Sequence, residues 1–233
     1  MLSRVDRLGK AVLDFVLPQS CLCCGLSGEA LCASCRERWP RVAPPYCSVC
    51  GLPQVDTRAC PDCAKQDFTL NSLRSVFIFD GQARACILQF KYHNLRTLAR
   101  PLAEALSAYM SAHPLPVDIL VPVPLHPRKI RQRGYNQSAL LAAELSKMSG
   151  LPAVGDILHK HLNTPAQASL ARAGERRQNV RDAFGVRGSL SARSNVLLVD
   201  DIATTGATLN ACARALKEAG AASIWGLTLA REI

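Results

Sequence analysis

The chain has 233 residues, a net charge of +10 and 48% hydrophobic residues. This length allows one sizeable α/β domain with a small accessory module, and no uninterrupted apolar stretch approaches the length of a membrane span. The positive charge is regional, because residues 126–193 hold 12 Lys and Arg residues against 4 Asp and Glu residues. A field of this kind favours polyphosphate or nucleic acid as a partner, with an ordinary solvated surface as the alternative.

Residues 1–19 are predicted to form an N-terminal helix. Apolar residues from Leu2 to Phe15 recur at helical spacing, and Pro18 ends the pattern. Asp14 interrupts the one run that resembles a secretory signal, and no small-residue cleavage site follows it. We therefore expect a cytoplasmic protein whose first helix packs on its own domain, with contact to a membrane surface as the alternative.

Residues 20–66 are rich in cysteine and predict two structural Zn²⁺ sites. Four C-x-x-C pairs occur in this segment, and they are Cys21/Cys24, Cys32/Cys35, Cys47/Cys50 and Cys60/Cys63. Each pair presents two thiolates to one side of a metal, so eight thiolates complete two closed tetrahedral sites. Successive pairing is the simplest arrangement, and crossed pairing stays open. A disulfide scaffold is the competing interpretation, which the expected reducing compartment disfavours.

Residues 74–233 alternate between strand and helix patterns, which predicts an α/β fold with a mostly parallel sheet flanked by helices. The predicted strands include "SVFIFD", "DILVPVP" and "SIWGLTLAR". The predicted helices are "ARACILQFKYHN", "RTLARPLAEALSAYMSA" and "SALLAAELSKMSG". The segment "LHPRKIRQRGYNQ" is predicted as a basic loop, and "SLARAGERRQNVRDAFGV" as a second basic loop with a short helix.

The stretch "VLLVDDIATTGATL" at residues 196–209 predicts a binding site for a sugar phosphate. Its four aliphatic residues suit a central strand of a parallel sheet, and Asp200 and Asp201 follow where such a strand leaves the sheet. Small residues and hydroxyls then precede a helix predicted from Ala207 to Ala219. Backbone N–H groups at a helix N-terminus bind anions, while the two carboxylates can accept hydrogen bonds from vicinal ribose hydroxyls.

The motif "VLLVDDIATTGAT" resembles the phosphoribosyl pyrophosphate (PRPP) motif of type I phosphoribosyltransferases. Together with the four C-x-x-C pairs, "VPVPLHPRKIRQRGYNQS" and "TPAQASLARAGERRQNVRDAF", it makes nearly the whole chain similar to the ComF family. The resemblance implies a type I phosphoribosyltransferase-like fold behind a double zinc ribbon. It also implies a bound PRPP accompanied by Mg²⁺, which prefers oxygen ligands.

The resemblance further implies roles for individual residues. Asp200 and Asp201 would bind the ribose hydroxyls. The 5′-phosphate would lie on a loop that we call the phosphate loop, which comprises Ala203, Thr204, Thr205, Gly206, Ala207 and Thr208. The candidates for the diphosphate are Arg128, Lys129, Arg131 and Arg133. The position of the flexible lid of phosphoribosyltransferases corresponds to a segment that contains Gln167, Arg172, Arg176 and Arg177.

Three functions stay open on the sequence. The ComF resemblance implies a role in DNA uptake, with single-stranded DNA and DNA-uptake or recombination proteins as partners. The alternatives are an active phosphoribosyltransferase of nucleotide salvage with an unknown acceptor, and a PRPP-sensing or nucleic-acid-binding module. Aromatic residues make up only 5% of the chain, so Tyr92 and Tyr135 are the best candidates for base stacking. His126 is expected to be a solvated histidine in the basic loop.

Overall fold

The structure is a computed structural model, and it describes residues 19–65, 68–162, 183–188, 190 and 193–233. The predicted N-terminal helix lies outside the described residues, apart from Gln19. The lid candidates Gln167, Arg172, Arg176 and Arg177 also lie outside them. In the described part of the chain, no helix is long and apolar enough to cross a membrane.

The cysteine-rich segment contains two short helices, α1 (Ala33–Glu37) and α2 (Pro61–Ala64). The next elements are β1 (Ser72–Ile78), α3 (Gly81–Tyr92), a 3₁₀ turn (Arg96–Leu98) and α4 (Ala99–Ala112). They are followed by β2 (Ile119–Pro122), α5 (Pro127–Arg133) and α6 (Gln137–Ser149). The last elements are β3 (Leu158–Lys160), β4 (Phe184–Val186), β5 (Asn195–Ala203), α7 (Ala207–Glu218) and β6 (Ser223–Arg231).

The main sheet has four strands in the order β1–β6–β5–β2, and all of its pairs are parallel. This confirms the predicted α/β architecture. Both faces of β5 are covered: Leu197 and Val199 pack with α3, α4 and α6, while Val196 and Leu198 pack with α7. Burial on two faces explains why the strand has no polar alternation. Strands β3 and β4 form a separate antiparallel pair, which the sequence did not predict.

Two elements near the predicted site differ from the sequence-based expectation. The basic segment after β2 begins with helix α5 rather than a loop, because Pro127 suits the first helical turn and Gly134, at φ 81°, ends the helix. Strand β5 does not end before the acidic pair but continues to Ala203, which pairs with Arg231. Because β2 stops at Pro122, the residues of β5 after Val199 pair with β6 alone in the described part of the chain.

The cysteine-rich segment packs against the outer edge of the sheet. The N–H of Val42 donates to the carbonyl of Val76 at 3.0 Å, which pairs part of the free edge of β1. Trp39 packs edge-on against Phe77 with ring centroids 5.1 Å apart. Leu31 is fully buried in the same hydrophobic core as α3 and α4. The first part of the cysteine-rich segment therefore shares one core with the α/β sheet, whereas the last four paired cysteines form a small cluster of their own.

Candidate functional site

Asp200 and Asp201 lie near the carboxyl end of β5 and are held by different elements. Asp200 Oδ1 accepts hydrogen bonds from the Ser138 hydroxyl at 2.7 Å and from the Asp201 N–H at 2.9 Å. Asp201 is 6% exposed, and its Oδ1 lies 3.0 Å from Lys91 Nζ. Ser138 lies at the start of α6 and Lys91 near the end of α3, so a different helix holds each carboxylate.

The environment of Asp200 disfavours its charged form. Burial and the neighbouring Asp201 raise the pKa of Asp200 from 3.8 to about 7, while the Ser138 hydroxyl and the Lys91 ammonium oppose this rise. A carboxyl group whose pKa is raised at the end of a strand is typical of a functional site. A ligand that donates hydroxyl hydrogen bonds here would favour the ionised form.

The phosphate loop connects β5 to α7. Gly206 has φ 77°, and it precedes the first residue of the 12-residue helix. A Cβ at this position would lie 3.0 Å from Leu73 Cδ2, so both the backbone conformation and the packing require glycine. The Thr205 hydroxyl accepts from the Ala207 N–H at 3.3 Å. The loop therefore presents hydroxyls and the N–H groups of a helix N-terminus beside the acidic pair.

Two of the predicted diphosphate residues, Lys129 and Arg133, lie close to Lys91. Arg133 Nη1 donates to Gln137 Oε1 at 3.0 Å, and its guanidinium lies 4.7 Å from the centroid of the Tyr92 ring. Burial lowers the pKa of Lys129, and the positive charges of Arg133 and Lys91 lower it further. Positive charges this close together indicate a binding site for an anion.

A further cation, Lys160 of the small antiparallel sheet, lies near Asp200. Burial and the nearby Lys129 lower the pKa of Lys160, while Asp200 opposes this shift. Lys160 Nζ also lies 5.1 Å from the centroid of the Phe184 ring, which orients its side chain. Lys160 therefore belongs to the candidate site, although it was not among the predicted residues.

The other two predicted diphosphate residues, Arg128 and Arg131, are exposed on α5. His126 begins this helix, and its Nδ1 accepts from the Arg128 N–H at 3.2 Å. Burial lowers the pKa of His126, and the charges of Arg128, Lys160 and Arg131 add to the effect. His126 is thus the N-cap of a helix where the sequence predicted a loop, and its partly exposed side chain lies among the cations of this segment.

Lys91 and Ser138 also belong to the site, and no pattern in the sequence marks either of them. Lys91 is one of several cations in its region, and Ser138 is one polar residue in a helix pattern.

The two candidates for base stacking, Tyr135 and Tyr92, differ in exposure. Tyr135 is buried and its hydroxyl donates to the Phe90 carbonyl, so it belongs to the core. Tyr92 is 60% exposed beside Arg133 and stays a candidate.

The eight paired cysteines form two four-thiol clusters. The first zinc ribbon contains Cys21, Cys24, Cys32 and Cys35, and the second zinc ribbon contains Cys47, Cys50, Cys60 and Cys63. Within each set, all Sγ atoms lie within 4.8 Å of one another. Successive knuckles are therefore paired, and crossed pairing is excluded.

The geometry of both clusters fits Zn²⁺. The Sγ atoms of Cys24 and Cys32 are 3.8 Å apart, and those of Cys50 and Cys60 are 3.9 Å apart. A tetrahedron with Zn–S bonds of about 2.3 Å has edges of about 3.8 Å. Burial opposes ionisation of Cys21, but backbone N–H groups, led by that of Cys32, outweigh it and lower the pKa to about 6. Four thiolates leave no open position, so both sites are structural.

The comparisons with known proteins follow the same division of the chain. Family models match a double zinc ribbon domain at residues 12–64 and a phosphoribosyl transferase domain at residues 138–232. Competence protein F of Haemophilus influenzae is 33% identical over 215 residues, which cover 88% of this chain and 93% of that protein. The chain belongs to the ComF family.

Other ComF-family relatives match over similar lengths. Competence protein ComFC of Bacillus subtilis is 29% identical over 211 residues, which cover 87% of this chain and 85% of that protein. The DNA utilization protein YhgH of Escherichia coli O157:H7 is 28% identical over 227 residues, which cover 93% of this chain and 99% of that protein. Family membership and the two thiol clusters together confirm the phosphoribosyltransferase-like fold with an N-terminal double zinc ribbon.

Proposed function

We propose that this ComF-family protein binds PRPP with Mg²⁺ between the acidic pair and the basic cluster, and that it acts in the cytoplasm in the uptake or use of DNA. The observation that carries the proposal is the pair of carboxylates, held by Lys91 and Ser138, directly before the N-terminus of α7. The names of the relatives, competence protein and DNA utilization protein, support the role in DNA handling.

Each part of PRPP has a group of suitable chemistry at the site. The 5′-phosphate lies on the phosphate loop, where backbone N–H groups and hydroxyls donate. The ribose hydroxyls donate to Asp200 and Asp201. The diphosphate meets Lys129 and Arg133, with Lys160 beside them, because charge-assisted hydrogen bonds to phosphoryl oxygens are strong. A bound Mg²⁺ would neutralise part of the diphosphate charge through oxygen ligands.

An active phosphoribosyltransferase is the second candidate. The complete acidic pair and the complete phosphate loop favour it, since a protein that only binds nucleic acid needs neither. In the transfer, the bond between the ribose C1 and the diphosphate breaks, and its electron pair leaves with the diphosphate. A nitrogen of the acceptor supplies the electron pair of the new bond. Release of pyrophosphate across a panel of bases and amines distinguishes this candidate from a PRPP sensor.

Single-stranded DNA is the proposed second ligand, with DNA-uptake or recombination proteins as partners. Lys129, Arg133 and Lys160 gather near Lys91 and Asp200 and serve the phosphorylated sugar. The remaining positive charge of residues 126–193 includes Arg172, Arg176, Arg177 and Arg181. We propose that these arginines serve DNA as a separate stripe, since phosphate contacts supply most of the affinity for nucleic acid.

Calorimetry with Mg–PRPP tests the site. The double variant Asp200→Asn, Asp201→Asn keeps the side-chain shape but removes both charges, and we expect its affinity to fall about 100-fold because two charge-assisted hydrogen bonds weaken. Asp118→Asn is the matched control, since Asp118 is exposed at the opposite end of β5 and accepts only from the Asn195 N–H among the described contacts. Its affinity should stay within about twofold of the wild type. Unchanged affinity in the double variant contradicts the proposed site.

A further inference from the structure

We infer that the second zinc ribbon positions the phosphate loop, and that Leu73 of β1 transmits this support. The identity of the ligand at the loop rests on the proposed function, but the coupling between the two elements does not. The inference gives one of the two zinc sites a role in ligand binding and leaves the other with a role in the stability of the core.

Leu73 contacts both elements at once. Its N–H donates to the carbonyl of Val49 at 2.6 Å, and Val49 lies inside the first knuckle of the second zinc ribbon. Its side chain is fully buried, and Leu73 Cδ2 would lie 3.0 Å from a Cβ placed on Gly206. The backbone of one residue thus holds the zinc knuckle, while its side chain supports the turn that begins α7.

The segment between the second zinc ribbon and β1 makes a second connection. Phe68 packs against the four cysteines of this ribbon, and its Cε1 would lie 3.7 Å from the same Cβ on Gly206. The next residue, Thr69, donates its N–H to Asn210 Oδ1 at 2.7 Å, in the first turn of α7. The packing around the zinc site therefore continues to the N-terminus of the helix that follows the phosphate loop.

Arg231 makes a third connection at the end of β6. It is 2% exposed, and its Nη1 donates to the Cys50 carbonyl at 2.6 Å. Arg231 also pairs in register with Ala203, the first residue of the phosphate loop. A zinc ion with four thiolates carries a net negative charge, which a buried guanidinium beside it balances.

The first zinc ribbon contacts other elements. Arg36, in α1, forms an ion pair with Glu104 of α4 at 2.9 Å. Trp39 packs on Phe77, and Cys21 and Cys35 belong to the core around α3 and α4. None of the contacts that its described residues show reaches the phosphate loop. Disturbing the second ribbon should therefore affect the phosphate loop, whereas disturbing the first ribbon should not.

Two glycines offer a matched test of this difference. Gly25 and Gly51 each follow the first C-x-x-C pair of their ribbon, with φ values of 76° and 72°. A Cβ on Gly51 would lie 2.5 Å from the Leu73 carbonyl oxygen, whereas a Cβ on Gly25 would meet nothing within 4 Å. Gly51→Ala and Gly25→Ala thus introduce the same backbone strain beside a zinc site, but only Gly51→Ala separates its ribbon from Leu73.

The experiment measures three quantities on the full chain: zinc content, Mg–PRPP affinity, and hydrogen exchange of the amides at residues 203–209. Both variants should retain two zinc ions, because all eight thiols are intact. Gly51→Ala should weaken Mg–PRPP binding about tenfold or more and speed exchange in the loop, whereas Gly25→Ala should stay within about twofold of the wild type. Equal effects of the two variants, or none from Gly51→Ala, overturn the inference.

Phe68→Ala and Phe68→Leu give a second test that changes no thiol and introduces no backbone strain. Phe68→Ala should speed exchange in the loop with two zinc ions bound, and Phe68→Leu should restore most of the protection. Hydrogen exchange at the wild-type rate in the phosphate loop of Phe68→Ala overturns the inference. Absence of Mg–PRPP binding to the wild-type protein would instead reject the proposed function, and the exchange measurements would still decide the coupling.

Discussion

Replacing Asp200 with asparagine should stabilise the ligand-free protein, and the gain should depend on pH. Asparagine keeps an oxygen to accept from the Ser138 hydroxyl and the Asp201 N–H. In the wild type, burial and Asp201 raise the pKa of Asp200 from 3.8 to about 7. Between these two values the folded protein retains a proton that the unfolded chain has lost, so the stability of the wild type falls as pH rises and becomes constant above about pH 7.

The size of the effect follows from the pKa shift. Three units correspond to about 4 kcal/mol when Asp200 is fully ionised. This is an upper limit, because part of the Asp200 side chain contacts solvent. With a folded-state pKa of about 7, the gain from Asp200→Asn should be largest at pH 8, where it stays below about 4 kcal/mol, and should be smaller by about 1 kcal/mol at pH 6.

Urea unfolding of the zinc-bound, reduced protein measures this difference through the fluorescence of Trp39 and Trp225. The titrations are run at pH 6 and pH 8 for the wild type, Asp200→Asn and Asp118→Asn. The exposed control should change the free energy of unfolding by less than about 1 kcal/mol at either pH. A gain from Asp200→Asn that is equal at the two pH values, or a loss of stability at pH 8, refutes the reasoning.

Metal analysis of the reduced protein should find two zinc ions in the wild type and one in Cys60→Ser, whereas a single ion in the wild type would contradict the two-site assignment. Ser138→Ala removes the hydroxyl that donates to Asp200 at 2.7 Å, so it should lower the free energy of unfolding by about 2 kcal/mol at pH 8. An unchanged value would mean that this bond does not support the carboxylate. Single-stranded DNA should bind in saturating Mg–PRPP with an affinity that falls steeply with salt, and Arg176→Ala with Arg177→Ala should weaken it. Complete displacement of DNA by PRPP, together with unchanged DNA affinity in this double variant, would contradict a separate DNA stripe.

Local patterns in the sequence predicted most of the larger elements and the zinc ligands. The aliphatic run at residues 196–199 forms the central strand, and the helix after it begins at Ala207 as predicted. Gly150 adopts a left-handed conformation and ends helix α6, as its sequence pattern predicted. The C-x-x-C spacing selected the eight thiols, although only the folded chain shows that successive pairs combine. These features were predictable because each depends on residues a few positions apart.

The partners of the acidic pair were decided by the tertiary structure. Lys91 reaches Asp201 across 110 positions of the chain, and Ser138 reaches Asp200 across 62. No periodic pattern marks either residue, because a pattern reports the buried face of an element and not which element it will face. Lys160 was missed for the same reason, since its short strand becomes visible only through pairing with β4.

Gly25 and Gly51 show the same limit within one repeated motif. Each follows a C-x-x-C pair, and each has a left-handed backbone conformation, so the sequence presents them as equivalent. Only Gly51 lies against the backbone of Leu73. Zinc coordination and turn conformation depend on a few neighbouring residues, which the sequence determines by itself. Contact with the phosphate loop depends on how the ribbon docks on the edge of the sheet, which is fixed only when distant parts of the chain share one core.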